Sequence, residues 1–338
     1  MADNIKKCKK CGFILETKPG LIVKNGVCLA CINSENKKNI DFAERQKWLT
    51  KHIQENITND EYDCAIAVSG GKDSTTIVRR LFENHGVTKA LLIHVGDIFT
   101  PTHAGVDNLN NIISRYNVDL MDIKLNKTTM TKKIKEDFVN ELHPLKWVEE
   151  KITEIPIDIA RKYNIKLVFY GENPYYEYGL KETLDIFHDK TDENLEIIYL
   201  GAIYPYSAQS WYQAALEVGF KDLNYYNEWQ RQGSTDDYSQ IDSMGYIIQL
   251  WTKFVKFGFQ RVSDMACRGF RDGYYTREQV DLLIKESDHL CDPAAKRDFC
   301  RAIDITEDYF DEIVDKHANH ELVVKDINGV WRRRDLLD

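Results

Sequence analysis

Three groups of residues have types and spacings that can do chemistry. The first is Ser69-Gly70-Gly71-Lys72-Asp73-Ser74. Two adjacent glycines let a backbone turn sharply and approach an anion closely. Backbone N–H groups entering a helix favour phosphate. Lys72 adds a positive charge, and Ser69 and Ser74 add hydroxyl donors. Asp73 does not suit a phosphate alone; it suits Mg²⁺ or a helix cap. The second group is Cys8, Cys11, Cys28 and Cys31, spaced C-x2-C-x16-C-x2-C. Two CxxC turns converging on one ion are the zinc-ribbon pattern. Four thiolates close a tetrahedral site and leave no position for substrate, so the expected zinc is structural; redox-active thiols are the alternative. Gly12 and Gly26 free the turns. The third group is Gly171-Glu172-Asn173-Pro174 with Tyr175, Tyr176, Glu177, Tyr178 and Gly179. Glu172 and Asn173 can orient a polar substrate or Mg²⁺, and the tyrosines can stack on a sugar or base.

The elements that must position these groups alternate. CAIAVSGG from Cys64 is an apolar strand broken by glycines, and KDSTTIVRRLFENHG is a helix ending at Gly86. KALLIHVGD (89–97), VDLMDIKL (118–125), KLVFYGEN (166–173) and LEIIYLGA (195–202) read as further strands. VDNLNNIISRYN reads as a helix, and Ile155-Pro156 marks a start or kink in a long helical region. Strand–helix alternation implies a parallel sheet. Ligands of such sheets sit at the carboxyl ends of strands. That puts the 69–74 loop, the strand end His94 to Asp97 and the 171–179 loop on one edge. The backbone at His94–Asp97 is expected to meet adenine, with Asp97 a second Mg²⁺ ligand beside Asp73. Phe42–Ile57 is an amphipathic helix with Asp41 as its cap. Asn328-Gly329 signals a terminal hairpin. A helix through KFGFQRVSD would place Arg261, Asp264, Arg268 and Arg271 on one face, suited to a diphosphate-linked sugar or to solvated salt bridges.

The chain has 338 residues, 43% hydrophobic and 29% charged, enough for a large domain with additions or two to three domains. Lys and Arg total 45 against 54 Asp and Glu, a net charge of −9. That balance argues against broad nucleic-acid binding, which needs a basic footprint. No apolar run of about 18 residues occurs, so no transmembrane helix is expected. MADNIKKCKKCG lacks the apolar stretch of a secretory signal. The expectation is a cytoplasmic, reducing compartment, where eight cysteines are metal ligands or free thiols.

SGGKDS at a strand-to-helix junction is neither a Walker A loop nor a dinucleotide fingerprint. It resembles the signature of the PP-loop ATP pyrophosphatase superfamily. The resemblance implies ATP binding, pyrophosphate release, and adenylation of a carbonyl oxygen before a nitrogen or sulfur nucleophile displaces AMP. The implied fold is α/β: a PP-loop (adenine nucleotide alpha hydrolase-like) parallel sheet with helices on both faces, an N-terminal zinc ribbon and a mostly helical C-terminal region. The divisions are 1–40 for the ribbon, 41–205 for the ATP-binding domain, and 206–338 for a substrate or partner region. Sulfur transfer usually needs a cysteine at the cleft. Cys64, Cys267, Cys291 and Cys300 form no CxxC and read as core or surface residues.

Over nearly its whole length the chain is similar to the N-acetyl sugar amidotransferases, which convert a sugar acetamido group to an acetamidino group for lipopolysaccharide or flagellin glycans. The resemblance is carried by the cysteine pairs, YDCAIAVSGGKDS, YGENPYYEYG, KFGFQRVSD, GYYTREQ and ITEDYFDEIVDKHAN. Family members often have a cysteine pair shortly before the GEN strand; here HPLKWVEEKITEIP has none. The resemblance implies an ATP-dependent, AMP- and pyrophosphate-forming carbon–nitrogen ligase with ATP, Mg²⁺ and structural Zn²⁺. Its ammonia would come from a separate class I glutaminase subunit, since no glutaminase module is visible in the chain; a homo-oligomer stays open. Lys72, Asp73, Glu172 and Asn173 would be catalytic. Ser69, Gly70, Gly71, Lys72, Asp73, Ser74, His94, Asp97 and Gly171 would bind nucleotide. Tyr175, Tyr176, Glu177, Arg261 and Arg268 would bind the N-acetyl sugar. The alternatives are a PP-loop sulfurtransferase acting on tRNA or a small heterocycle, and a nucleotide-binding scaffold without turnover.

Overall fold

A computed structural model describes residues 5–57 and 60–337. The N-terminal segment holds a short hairpin, β1 (Val23–Lys24) with β2 (Val27–Cys28), and helix α1 (Leu29–Asn36). Helix α2 (Phe42–Asn56) begins where the Asp41 carboxylate accepts the Glu44 N–H, as the cap position predicts. Strands and helices then alternate: β3 (Cys64–Val68), α3 (Lys72–Asn84), β4 (Ala90–Gly96), α4 (His103–Tyr116), β5 (Asp119–Lys124), α5 (Lys127–Glu141), α6 (Lys146–Lys162), β6 (Leu167–Tyr170), α7 (Pro174–Glu177) and β7 (Glu196–Tyr199). The remainder is mostly helical: α8 (Ala208–Leu216), α9 (Leu223–Tyr226), α10 (Ile248–Phe257), α11 (Arg261–Arg271), α12 (Arg277–Ser287), α13 (Pro293–Ile303) and α14 (Glu307–His317). Strands β8 (Val323–Lys325) and β9 (Trp331–Arg333) close it as a hairpin, with Gly329 of the turn at φ +77°.

Five strands form one parallel sheet in the order β5-β4-β3-β6-β7. The chain starts in the middle, runs outward through β4 and β5, then returns to the other side of β3. The direction of winding reverses between β3 and β6, and ligands of open α/β sheets lie at such a reversal. Side chains alternate between faces. Cys64, Ile66 and Val68 of β3 join a core with α2, α3 and Trp211 of α8, while Ala65 joins Ile157 and Ala160 of α6 on the opposite face. Helices therefore cover both faces. Helix α6 runs unbroken through Pro156.

Helix α5 lies early in the chain, yet Met130, Ile134 and Phe138 pack with Trp251, Phe254, Phe299 and Phe310 of α10, α13 and α14. Full burial of each such side chain contributes roughly 1.5–3 kcal/mol. Helix α5 and the helical C-terminal region thus share a core, while Tyr206 and Trp211 join the core on one face of the sheet. The N-terminal segment packs likewise on α11 and α12, through Phe13 and Ile14 against Phe259, Ala266, Val280 and Ile284. Among the described residues, no helix is long and apolar enough to cross a membrane.

Candidate active site

The loop between β3 and α3 has a fixed shape. Gly70 has φ +89°, and a Cβ there would stand 2.4 Å from the Gly105 carbonyl oxygen of α4. Only glycine meets both conditions. The Ser74 and Thr75 hydroxyls donate to the Gly71 carbonyl at 3.0 and 3.1 Å. The Gly71 N–H donates to Ser69 Oγ at 3.3 Å. Lys72 is only 2% exposed, and its Nζ donates to Asp73 Oδ2 at 2.7 Å and to the Tyr206 hydroxyl at 3.5 Å. Tyr206 in turn donates to Asp73 Oδ1 at 3.2 Å. A buried ammonium needs an anionic partner, and Asp73 supplies it.

The end of β6 comes alongside this loop at the winding reversal: a Cβ on Gly171 would lie 3.7 Å from the Asp73 Cβ. Glu172 Oε2 stands 3.0 Å from Arg268 Nη1, which joins the 171–179 loop to α11. Arg261 Nη1 donates to the Tyr178 hydroxyl at 3.0 Å. The other residues of the loop face elsewhere. Asn173 caps α7, its Oδ1 accepting the Tyr176 N–H, and its Nδ2 donates to the Asp185 carbonyl. Tyr176 is buried and donates to the Asn33 carbonyl at 2.7 Å, and Glu177 is ion-paired with Lys37 at 2.5 Å. Tyr175 is half exposed. Asn173 fastens the loop to itself and to Asp185, Tyr176 and Glu177 hold it to the N-terminal segment, Tyr175 meets solvent, and none of the four lines the main cavity.

That cavity has a volume of about 700 Å³ and is lined at the strand ends by Ser69, His94, Gly96, Asp97 and Asp122. His94 Nδ1 and Asp122 Oδ1 are 2.8 Å apart. Asp97 is present, but both its oxygens are engaged: Oδ1 accepts the Phe99 N–H at 2.9 Å, and Oδ2 accepts the Ser243 hydroxyl at 2.6 Å. Burial raises its pKa.

The opposite wall comes from residues 240–246, which the sequence reading missed. Asp242, Ser243 and Tyr246 line the cavity. This segment is stitched to the 97–105 stretch: the Thr102 N–H donates to the Asp242 carbonyl, the Met244 N–H donates to the Thr100 carbonyl, and Pro101 bridges Ser243. Arg231 holds it from behind by donating to the Ser239 and Gln240 carbonyls at 2.6 and 3.0 Å. Asp242 Oδ1 is buried without a hydrogen-bond partner. A Cβ on Gly71 would be 3.6 Å from it, so the carboxylate stands beside the glycine loop. Tyr206, which touches both Lys72 and Asp73, is equally unmarked in the sequence. No local motif marks either residue; each is defined by contacts more than a hundred residues away.

Burial pushes the Asp242 pKa up to about 7, with Asp97 and Asp73 adding to the rise, and Ser69 and Lys72 opposing it. Between 3.8 and about 7 the folded chain then holds more of this proton than the unfolded chain does. Stability from this group is complete at low pH and is lost as pH climbs through about 7. Asp242→Asn removes that loss. Its melting temperature, measured without nucleotide, should gain on the wild type as pH rises from about 5 to about 8. A difference independent of pH would contradict the placement of Asp242.

The four N-terminal cysteines converge. Their sulfurs all lie within 4.8 Å of one another, and all four residues are buried. Cys11 and Cys28 are 3.8 Å apart, Cys8 and Cys31 4.0 Å. A tetrahedral ion with metal–sulfur bonds of about 2.3 Å has sulfur–sulfur edges of about 3.8 Å, so the set fits one metal ion. A cubane iron–sulfur cluster, with one thiolate on each of four irons, would hold the sulfurs further apart. Gly12 and Gly26 have φ +80° and +78°, which the two turns require. The Cys28 N–H donates to Cys8 Sγ at 3.3 Å, the kind of backbone contact that steadies a thiolate ligand.

Residues 224–335 match the sequence model of the WbpG-like lipopolysaccharide-biosynthesis proteins, C-terminal domain. No curated protein matched the chain. Among solved structures, the U34-tRNA thiolase NcsA from Methanococcus maripaludis with its [4Fe-4S] cluster is similar at 13% sequence identity, over 88% of this chain and 95% of that one. The TM-score is 0.32. The matched segment holds Asp242, Ser243 and Tyr246 and so builds one wall of the cavity beside the glycine loop. Residues 224–335 are thus similar to the C-terminal domain of WbpG-like lipopolysaccharide-biosynthesis proteins, and they are joined in one chain to a five-stranded parallel sheet with its SGGKDS loop.

Proposed function

We propose that the chain is the synthetase subunit of an ATP-dependent amidotransferase that converts the acetamido group of an N-acetyl sugar to an acetamidino group. The observation that carries this reading is the shared cavity: Ser69 at the mouth of the glycine loop with His94 and Asp97 of the next strand end on one side, and on the other a wall from the WbpG-like segment. The name of that family points to lipopolysaccharide, hence to a sugar acceptor. No cysteine lines the cavity among the described residues, which disfavours the sulfur-transfer alternative.

The chemistry follows from balance. The acetamido carbonyl oxygen attacks the α-phosphorus of ATP, and pyrophosphate leaves. Ammonia adds to the activated carbon, a proton is lost, and AMP departs with the original oxygen. The buried Lys72 ammonium is the donor that would hold the departing pyrophosphate, and the Gly71 N–H and the Ser69 and Ser74 hydroxyls would join it by exchanging the bonds they make within the loop. Charge developing there is stabilised by donors already in place. Asp73, with its side chain 39% exposed, would hold Mg²⁺; Mg²⁺ would neutralise phosphate charge. Asp97 holds Ser243 and the Phe99 turn, so its part at the metal would be positional. His94 and the β4 backbone through Gly96 would meet the nucleoside, with Gly171 giving room beside Asp73. Glu172 would act through Arg268.

The reading divides the chain near residues 40 and 205 and assigns zinc to the four-cysteine site. A separate glutaminase subunit would deliver ammonia, which is scarce as the free base near neutral pH. The test supplies ammonium at raised pH with ATP and a panel of nucleotide- and lipid-linked N-acetyl sugars. AMP and pyrophosphate should form in equal amounts, and only with a sugar present. ATP cleavage that needs sulfide with tRNA or a heterocycle, and ignores every sugar, would transfer the assignment to thiolation.

A further inference from the structure

A second, smaller cleft of about 40 Å³ opens beside the loop lysine. Gln209, Tyr238, Arg268, Asp272, Tyr274 and Tyr275 line it. Lys72 Nζ lies 6.0 Å from the Tyr238 ring and 5.9 Å from the Tyr206 ring, so the cleft is one aromatic ring away from the phosphate-type loop.

Arg268 is the unusual member. It is 4% exposed, and its guanidinium sits between the Tyr178 and Tyr206 rings, 5.0 and 5.1 Å from their centres. Glu172 balances its charge, yet neither terminal nitrogen makes a well-formed hydrogen bond. Buried donors left without acceptors are destabilising, by about 1–3 kcal/mol each. Donors that wait in a cleft mark a place for a ligand oxygen.

The surroundings define which oxygen. Tyr238 is stacked on Tyr212 at 4.1 Å and donates to Gln209 Oε1 at 3.1 Å. The Tyr275 ring lies so close to α11 that a Cβ on Gly269 would meet it at 2.4 Å. Tyr274 is 53% exposed at the rim. Aromatic walls with an amide and a carboxylate suit the apolar faces and hydroxyl edges of a sugar ring. A phosphate does not suit them: Arg268 is the one cation of the lining, its charge is already countered by Glu172, and Asp236 and Asp272 add negative charge. The diphosphate expected on this helix face therefore has no free cation to meet at Arg268.

We propose that this cleft is the subsite for the neutral pyranose ring of the acceptor, laid against Tyr238, Tyr274 and Tyr275 and anchored by Arg268. The proposal rests on the amidotransferase reading. Its test is steady-state kinetics of the full chain, driven by ammonium, with whichever N-acetyl sugar releases pyrophosphate. Tyr274→Ala alters a half-exposed side chain, and Gln209→Ala a half-buried one, so neither opens the core. Each should raise the KM for sugar about tenfold or more and leave the KM for ATP unchanged. Inorganic pyrophosphate should compete with ATP and not with sugar. Unchanged sugar KM in both variants, or pyrophosphate competing with sugar, would overturn the subsite while the reaction stands. A wild type that releases no pyrophosphate with any N-acetyl sugar would overturn both.

Discussion

Lys72→Met is expected to lower pyrophosphate release by a factor of about 100 or more while leaving the fold intact. The ammonium lies out of water, with Asp73 and the Tyr206 hydroxyl as its polar contacts. Structural ion pairs on a surface contribute little, and a lysine kept buried at the mouth of a glycine loop is placed for an incoming anion. Methionine keeps the aliphatic stem and loses the charge, so packing around Tyr206 and Tyr238 survives. The defect should appear in kcat, because leaving-group charge grows only as the bond breaks. Circular dichroism and the melting temperature report the fold, and a pyrophosphate assay reports the chemistry. Turnover within a few-fold of wild type would remove Lys72 from the site.

Metal removal is expected to have the second large effect. Chelation, or Cys28→Ser, should release one ion per chain, lower the melting temperature and open residues 5–40 to proteolysis. Structural zinc sites in small modules contribute about 10–16 kcal/mol of folding free energy at neutral pH. The damage should spread, because this segment clamps the site. Asn33 Nδ2 donates to the Tyr176 and Lys181 carbonyls, the Ile22 N–H donates to the Gly179 carbonyl, and Lys37 pairs with Glu177. Gly179 approaches α1 so closely that a Cβ would lie 2.5 Å from the Ala30 nitrogen. Lys18 reaches Asp264 of α11 at 3.2 Å. Sugar-dependent turnover should therefore fall while ATP still binds, as read by nucleotide protection against heating. A metal-free chain with unchanged melting and unchanged sugar KM would show that the four cysteines hold nothing of consequence.

Much of this was legible in local sequence, because local physics decides it. Gly70 must be glycine in that turn, Asp41 caps its helix, and apolar runs bounded by glycine become buried parallel strands. The cysteine spacing brings four sulfurs to one point for the same reason. What was not legible depends on contacts between distant segments. Asn173, Tyr176 and Glu177 look like site residues in a loop at a strand end, but Asn173 caps its own short helix and holds the Asp185 carbonyl, and the N-terminal segment claims Tyr176 and Glu177. Asp242 carries no motif, and its position follows from pairing between residues 97–105 and 240–246. Helix α5 joins the C-terminal core although its sequence sits among the strands, because its Phe138 face needs Phe299 and Phe310 to be buried.

The most direct test of the central claim follows the nitrogen. The full chain is given ATP, isotopically heavy ammonium at raised pH and the N-acetyl sugars, and the sugar is analysed by mass spectrometry. The account predicts a product in which one heavy NH has replaced the acetamido oxygen, with that oxygen recovered in AMP. A sugar that returns unchanged while ATP is split to AMP and pyrophosphate would contradict it.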